Sequence, residues 1–262
     1  MKRYIGLAAL TALELAPPEL IATAAAAGYD GVGLRLIPVA AQAYPPPPLD
    51  VDAIAQRAAD TGLRIYDIEV FRLEADTRVA DYEPMLAVSQ RLGASELLVH
   101  GADADAARLA NTFGKLCDLA ARYRLAANLE PMPWVDVSNL AKAQRVIEGA
   151  GRANGALLVD AIHFFRGGNR PQDLARVPRE RLRYMQFCDA RPEVPTDMQE
   201  MIRQARGDRL FPGDGGLDLV GLLRALPADL PISLEIPHAK PMPALERVRR
   251  ALAATRAVLE KL

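Results

Sequence analysis

The sequence predicts a single α/β domain, a (β/α)8 or TIM barrel that spans residues 1–262. Eight apolar runs typical of β-strands recur along the chain, most of them beginning about thirty residues after the previous run. A segment with helical spacing follows each run, and strict alternation of strand and helix predicts a parallel sheet covered by helices. The chain has 262 residues, of which 50% are hydrophobic, and this is enough to bury one such core.

The eight predicted strands are Tyr4–Leu10, Gly31–Ile37, Arg64–Leu73, Glu96–Gly101, Leu125–Met132, Ala156–Phe164, Arg183–Ala190 and Pro231–Pro237. The predicted helices are Pro18–Ala27, Asp50–Thr61, Glu83–Leu92, Asp105–Arg124, Val137–Gly149, Pro171–Val177, Leu217–Leu226 and Pro243–Leu262. The proline-rich stretch Tyr44–Leu49 is interpreted as a loop rather than a domain linker. The long gap before the last strand contains an extra loop, Pro192–Gly216, which is a candidate lid over a substrate.

The charge and cysteine content exclude several classes of partner and site. The formal net charge is -1 with acidic and basic residues mixed, so the sequence predicts neither nucleic-acid binding nor attraction to an anionic membrane. The apolar opening segment is interrupted by Glu14 and Glu19 and is too short for a transmembrane helix. Two cysteines, Cys117 and Cys188, cannot build a disulfide framework or a cysteine-based zinc site. We therefore expect a cytoplasmic protein that acts on a small molecule, and a homo-oligomer is compatible with the sequence.

Four oxygen-bearing side chains are predicted to lie at one rim of the barrel. Successive side chains of a strand alternate between its two faces, so Glu130 ends the inward-facing row of its strand. The same alternation places Asp160, Gln186 and Glu235 at the inner ends of the next three strands. Because parallel strands of a barrel end at the same rim, we expect the four side chains to converge.

This convergence of carboxylates predicts a bound cation. Three carboxylates at one rim repel each other unless they are protonated or bridged by a positive ion. A shell of oxygen ligands favours manganese, with magnesium or another divalent ion as alternatives. A single carboxylate at a strand end more often caps a loop or pairs with an arginine. Four residues in register instead favour a metal site formed by Glu130, Asp160, Gln186 and Glu235.

Five segments of the chain are similar to those of a known family. They are Asn128–Trp134, Val159–Arg166, Gln186–Asp189, Arg209–Gly215 and Ser233–Pro237. In these segments the chain resembles the sugar phosphate isomerase/epimerase family, the xylose-isomerase-like TIM barrels. That family includes ketose epimerases, sugar isomerases, inosose dehydratase, dehydroshikimate dehydratase and endonuclease IV. The resemblance therefore implies the fold and the metal site without naming a substrate.

The resemblance also implies roles for the residues at the rim. Glu130, Asp160, Gln186 and Glu235 correspond to the metal ligands, and Glu130 and Glu235 also correspond to the catalytic acid and base. Many members of the family have a histidine where this chain has Gln186. An amide keeps an oxygen donor at that position but is less basic than an imidazole.

Four further residues are candidate substrate contacts: His163, Arg209, His100 and Trp134. His163 follows a proposed metal ligand by three residues, as in family members where such a histidine contacts a substrate oxygen, and its alternative role is a hydrogen bond within the loop. Arg209 is interpreted as a clamp on a substrate hydroxyl or carboxylate, with an exposed ion pair to Asp214 as the alternative. His100 ends the fourth strand. Trp134 offers either an apolar wall to the pocket or packing against a loop.

These features predict a divalent-metal-dependent isomerase or epimerase that acts on a small polyhydroxy ketone or aldehyde. In that reaction the metal stabilises an enediolate after Glu130 or Glu235 removes the proton next to the carbonyl. The alternative is a lyase, a dehydratase of a keto-polyol or keto-acid, because the same enediolate can expel a hydroxyl group. Elimination needs a second acid near the leaving group, for which the sequence offers only His163 and His100.

Other activities lack the sequence features that they need. The chain contains no Gly-Xaa-Ser-Xaa-Gly elbow, no phosphate-binding loop ending in Lys-Ser/Thr, and no Gly-Xaa-Gly-Xaa-Xaa-Gly after the first strand. A nuclease that uses a histidine-rich metal cluster is disfavoured because the chain has three histidines and no basic excess. A barrel that binds a sugar without turnover is the remaining alternative.

Overall fold

The computed structural model describes residues 3–38 and 49–262, and it confirms the eight-stranded closed barrel. The strands are β1 (Ile5–Leu7), β2 (Gly31–Arg35), β3 (Arg64–Glu74), β4 (Glu96–Ala102), β5 (Ala126–Glu130), β6 (Gly155–Asp160), β7 (Leu182–Phe187) and β8 (Ile232–Leu234). Every strand is parallel to its neighbours, and β8 pairs with β1 to close the barrel. Each of the eight strands lies where the sequence predicts one.

Helices cover the outside of the barrel. In the described ranges the α-helices are α1 (Pro17–Ala27), α2 (Val51–Thr61), α3 (Glu83–Arg91), α4 (Ala106–Ala121), α5 (Leu140–Ala150), α6 (Ala161–Arg166), α7 (Met198–Gly207), α8 (Leu219–Ala225) and α9 (Ala244–Leu259). Short 3-10 helices occur at Ala9–Ala12, Val79–Tyr82, Pro171–Arg176 and Arg179–Arg181. The helix predicted at Pro171–Val177 is thus a 3-10 helix.

The predicted strand Ala156–Phe164 is wrong in its second half. The strand β6 ends at Asp160, and the helix α6 begins at the next residue. The Asp160 carboxylate accepts a hydrogen bond from the backbone N–H of His163 at 3.0 Å and so caps this helix. An unbroken apolar run concealed the change, because periodicity cannot separate a short buried helix from a strand.

The predicted loop Pro192–Gly216 contains the helix α7. Asp197 caps the helix by accepting a hydrogen bond from the backbone N–H of Glu200 at 2.9 Å. The segment therefore approaches the barrel rim as a helix with loops on either side. The prediction for the proline-rich stretch Tyr44–Leu49 concerns residues 44–48, which lie outside the described residues.

The main core lies between the barrel and its helices. Outward-facing strand residues such as Leu97, Val99 and Leu129 are buried in one cluster with Phe113 and Leu116 of α4. Burial of apolar surface in this layer is the main force that holds helices against the sheet.

A smaller cluster fills the barrel interior and consists of Tyr66, Val70, Leu98, Leu158 and Tyr184. Near the amino-terminal ends of the strands, the Glu96 carboxylate accepts hydrogen bonds from Arg183 at 2.7 and 2.8 Å and from the Asn128 amide at 3.0 Å. These contacts join β4, β5 and β7 at one end of the barrel. The opposite end is the one at which barrel enzymes place their chemistry.

None of the helices in the described ranges is sufficiently long and apolar to span a lipid bilayer. The organisation of residues 1–262 as one domain, the cytoplasmic location and a homo-oligomer stay predictions.

Candidate active site

A cavity with a volume of about 280 Å³ lies at the carboxyl ends of the strands. The predicted site residues that line it are Glu130, Glu235, His163, Arg209, His100 and Trp134. The other two contact this lining: Asp160 binds Arg209, and Gln186 binds Glu235. The structure therefore brings all eight predicted residues together.

Strand register explains why the four proposed ligands meet. Glu130 and Asp160 are the last residues of β5 and β6, and Glu235 directly follows β8. In the barrel, Asp160 lies beside Gln186 of β7, and Gln186 lies beside Ser233 of β8. Four neighbouring strands thus deliver one polar side chain each to the same level of the rim, as the alternation of the sequence predicts.

The donors at this level fit a divalent cation. One ligand atom each from Glu130, Asp160 and His163 lies within 4.8 Å of the others, and all three residues are buried. Among the described residues, Glu130 Oε1 and Gln186 Oε1 are buried without a hydrogen-bond partner. Buried oxygens normally have a partner, so these oxygens beside a carboxylate cluster fit the binding of a divalent cation. The structure adds His163 to the four ligands predicted from the sequence.

Arg209 forms the central ion pairs of the site. Its guanidinium lies 2.6 Å from Asp160 Oδ2 and 2.7 Å from Glu235 Oε2, and the side chain is only 2% exposed. Its Nε donates to the Ala205 carbonyl at 2.7 Å, which ties it to α7. The alternative of an exposed pair with Asp214 is wrong, since Arg250 takes that partner.

The three carboxyl groups differ in their affinity for a proton. Burial, followed by the charge of Asp160, raises the pKa of Glu130 well above its ordinary value. Burial also raises the pKa of Glu235 to about 8, although Arg209 opposes the shift. Burial opposes ionisation of Asp160 as well, but Arg209 and the His163 backbone more than offset it and lower the pKa of Asp160. The site thus contains one carboxyl group with a lowered pKa and two with raised pKa values.

Two histidines lie beside Glu130. His100 Nε2 shares a hydrogen bond of 2.7 Å with Glu130 Oε2, and His163 Nε2 lies 3.9 Å from Glu130 Oε1. Burial lowers the pKa of each histidine to about 3, so both are neutral near pH 7. The edge of Trp134 packs on His163 with ring centroids 4.8 Å apart, and Trp134 forms part of the cavity wall.

With this geometry described, the chain can be compared with known proteins. Residues 21–258 match the family model described as xylose isomerase-like TIM barrel. The chain belongs to this family. A 3-dehydroshikimate dehydratase of Pseudomonas aeruginosa is 31% identical over 235 residues, which cover 84% of this chain and 36% of that protein. The chain therefore spans only 36% of the length of the curated relatives that it matches.

Solved xylose isomerase-like barrels share the fold. A xylose isomerase-like TIM barrel/4-hydroxyphenylpyruvate dioxygenase fusion protein has a TM-score of 0.85 at 22% identity, covering 100% of this chain and 43% of that one. The IOLI protein, solved with a binding zinc atom, has a TM-score of 0.81 at 18% identity, covering 98% of each chain. Sugar epimerases also have this fold. At such identities these structures show the fold alone.

The barrel places four further charged residues in the cavity wall: Arg35, Glu69, Arg72 and Arg206. Arg35, the last residue of β2, lies beside Glu69 of β3 and binds this fully buried carboxylate at 3.3 Å. Arg206 has no counterpart among the predicted site residues. The sequence places Arg206 in the candidate lid but does not indicate that it lines the cavity. That position depends on the helix α7, which the sequence pattern did not predict.

Proposed function

We propose that this chain is a divalent-metal-dependent dehydratase of a small polyhydroxy keto acid, with 3-dehydroshikimate as the first substrate to test. The observation that carries the proposal is the pairing of Glu130 with His100 at 2.7 Å and with His163 at 3.9 Å. Elimination of water needs a proton donor for the leaving hydroxyl as well as a base. The relatives named 3-dehydroshikimate dehydratase support the same choice.

The residues that would hold the metal are Glu130, Asp160, Gln186 and Glu235, with His163 as a further donor. The mostly oxygen set favours manganese, with magnesium or another divalent ion as alternatives, and the zinc in a structural neighbour makes zinc one of the ions to test. A bound divalent cation supplies a Lewis acid that makes a hydrogen next to a carbonyl more acidic.

The side chains of the site supply the proton transfers. One of the two carboxyl groups, Glu130 or Glu235, takes the proton in its ionised form as the C–H bond next to the carbonyl breaks. The C–H electron pair forms the carbon–carbon double bond of an enolate, and the carbonyl π pair moves to the carbonyl oxygen. As the carbonyl re-forms, the electron pair of the enolate double bond moves to form a double bond with the neighbouring carbon. The C–O bond on that carbon breaks, and its hydroxyl leaves as water with a proton from the other carboxyl group. His100 can relay that proton because it shares a hydrogen bond with Glu130. A raised pKa brings each carboxyl group closer to the range in which it can both accept and donate a proton.

An isomerase or epimerase of a polyhydroxy ketone or aldehyde is the second candidate. Glu130 and Glu235 both line the cavity, so a proton taken by one can return to carbon from the other. The first half of this reaction is the same as in the dehydration. The two candidates differ only in whether the intermediate loses a hydroxyl group or regains a proton.

Reaction in deuterated water separates the candidates. Manganese-loaded protein is incubated with 3-dehydroshikimate and, separately, with a panel of ketoses. We expect a product lighter by one water, seen by mass spectrometry and by the ultraviolet absorbance of a dihydroxybenzoate. Deuterium next to the carbonyl, without loss of water, would instead identify an isomerase or epimerase. Tight binding with neither product would leave a sugar-binding barrel.

A further inference from the structure

A second charged region of the cavity is formed by Arg35, Arg72 and Arg206. Arg35 is paired with the buried Glu69. Arg72 pairs with Glu74 at 2.9 Å, and the two side chains are 40% and 50% exposed. Exposed ion pairs of this kind are weak and exchange readily with other partners. This region therefore holds more positive charge than its own carboxylates neutralise.

Arg206 is the least compensated of the three. Within residues 3–38 and 49–262 its side chain makes no hydrogen bond or ion pair, although it lies in the cavity wall. Partial burial lowers its pKa, and the charges of Arg72 and Arg35 lower it further. The same three arginines lower the pKa of His100, after the larger effect of burial. Because all three guanidinium groups belong to one cavity lining, an anion bound among them would reduce their mutual repulsion.

A hydrogen bond connects the helix α7 to the active site and so fixes the position of Arg206. The carbonyl of Ala205 accepts the hydrogen bond from Arg209, and Arg209 holds Asp160 and Glu235. Arg206 is the next residue and lies in the last turn of the helix. The cationic side chain of Arg206 is therefore connected, through Ala205 and Arg209, to the carboxyl groups that are proposed to transfer protons.

We propose that Arg206, with Arg72, binds an anionic group of the substrate. This inference rests on the proposed function: it assigns the residues that bind the acid group of the substrate, and it admits a phosphate in place of a carboxylate but not a neutral sugar. The carbonyl and hydroxyl groups of such a molecule face Glu130 and Glu235, and its anionic group faces the arginines. Guanidinium groups bind either anion through paired N–H donors, so the shared chemistry is that of a planar or tetrahedral oxyanion.

Matched pairs of ligands test the anion site by calorimetry on manganese-loaded protein, without any turnover. The carboxylate pair is 3,4-dihydroxybenzoate and catechol, and the phosphate pair is fructose 6-phosphate and fructose. We expect the anionic member of at least one pair to bind about tenfold more tightly than its neutral partner, as a charge-assisted hydrogen bond provides. Whichever pair shows the preference identifies the anion.

Arg206→Gln should remove most of that preference and leave the affinity for the neutral partner unchanged, whereas Arg206→Lys should retain part of it. The matched control is Arg203→Gln, which removes the same charge from α7. Arg203 instead binds Glu200 and Asp208 and does not line the cavity, so its loss should leave the preference intact.

Two results overturn the anion site: no preference in either pair with wild-type protein, or a preference that Arg206→Gln leaves unchanged. Dehydration of 3-dehydroshikimate is measured separately. Turnover without an anion preference rejects the anion site and keeps the proposed function. An anion preference that depends on Arg206, without turnover of 3-dehydroshikimate, rejects the dehydratase and keeps the anion site.

Discussion

Arg209 shows how one buried residue can serve several neighbours. Its guanidinium neutralises Asp160 at 2.6 Å and binds Glu235 at 2.7 Å, in a region where isolated charges are costly. Removing one partner of a buried ion pair leaves the other charges without compensation. Arg209 therefore positions the proposed metal ligands in addition to lining the cavity.

Arg209→Met should destabilise the metal-free protein by about 3 kcal/mol, because the buried Asp160 carboxylate then loses the cation that compensates its charge. Added manganese should raise the melting temperature of this variant more than that of wild-type protein, since the ion restores a positive charge beside Asp160. Thermal melts with chelator and with manganese measure both effects. The control is Arg250→Met, whose pair with Asp214 is exposed and should cost less than about 1 kcal/mol. Equal responses of the two variants would contradict the positioning role.

Glu235 should make the stability of the metal-free protein depend on pH. Its pKa rises from 4.5 to about 8 on folding because the group is buried. As the pH rises, the unfolded chain releases this proton first, so stability that is present below pH 4.5 is lost up to about pH 8. In Glu235→Gln the side chain at this position does not titrate, so the variant lacks this contribution to the pH dependence.

Urea denaturation between pH 5 and 8, with chelator present, measures this difference. We expect the free energy of unfolding of wild-type protein to fall relative to that of Glu235→Gln as the pH rises, by a few kcal/mol at most. Parallel pH profiles would show that Glu235 is ionised throughout this range in the folded protein.

The elements of the barrel were largely predictable because strand and helix have different periods. The inward row ending in Glu130 follows from alternation alone, and the structure confirms its place in the cavity wall. The helix α7 was predictable in principle, since Asp197 and Glu200 have the spacing of a helix cap. The partners of Arg209 were not, because they join residues far apart in sequence through a folded rim. Interactions of that kind depend on strand register, which local patterns do not contain.

Asp197→Ala should loosen α7 without unfolding the barrel. The change removes the hydrogen bond to the Glu200 backbone, and loss of such a cap costs about 1 kcal/mol. Hydrogen exchange should therefore accelerate about fivefold for the amides of α7 and stay unchanged in the strands. Asp50→Ala removes the corresponding cap of α2 and should leave α7 unaffected. Faster exchange across the whole barrel after Asp197→Ala would show that α7 is part of the global folding unit.

At the scale of the whole molecule, the candidate metal site joins the second half of the barrel. Its proposed ligands come from β5, β6, β7 and the residue after β8, so the cation would bridge four consecutive strands. Eight-fold alternation predicts such a closed barrel from sequence. Protons, the Arg209 guanidinium and a metal ion compete for the oxygens of these side chains. Which of them binds depends on contacts that form only in the folded protein.

Metal binding should therefore stabilise the entire fold. We expect about one divalent ion per chain, manganese preferentially, in protein purified without chelator, because a buried set of oxygen donors favours a hard cation. At one hundred times its dissociation constant, the ion should add about 2.7 kcal/mol to the free energy of unfolding. Elemental analysis gives the stoichiometry, and urea denaturation with manganese, magnesium or zinc gives the order of preference. Asp160→Asn should remove most of the manganese effect, whereas Asp214→Asn, on an exposed ion pair, should retain it. Full stabilisation of Asp160→Asn by manganese would place the ion elsewhere and reject this site.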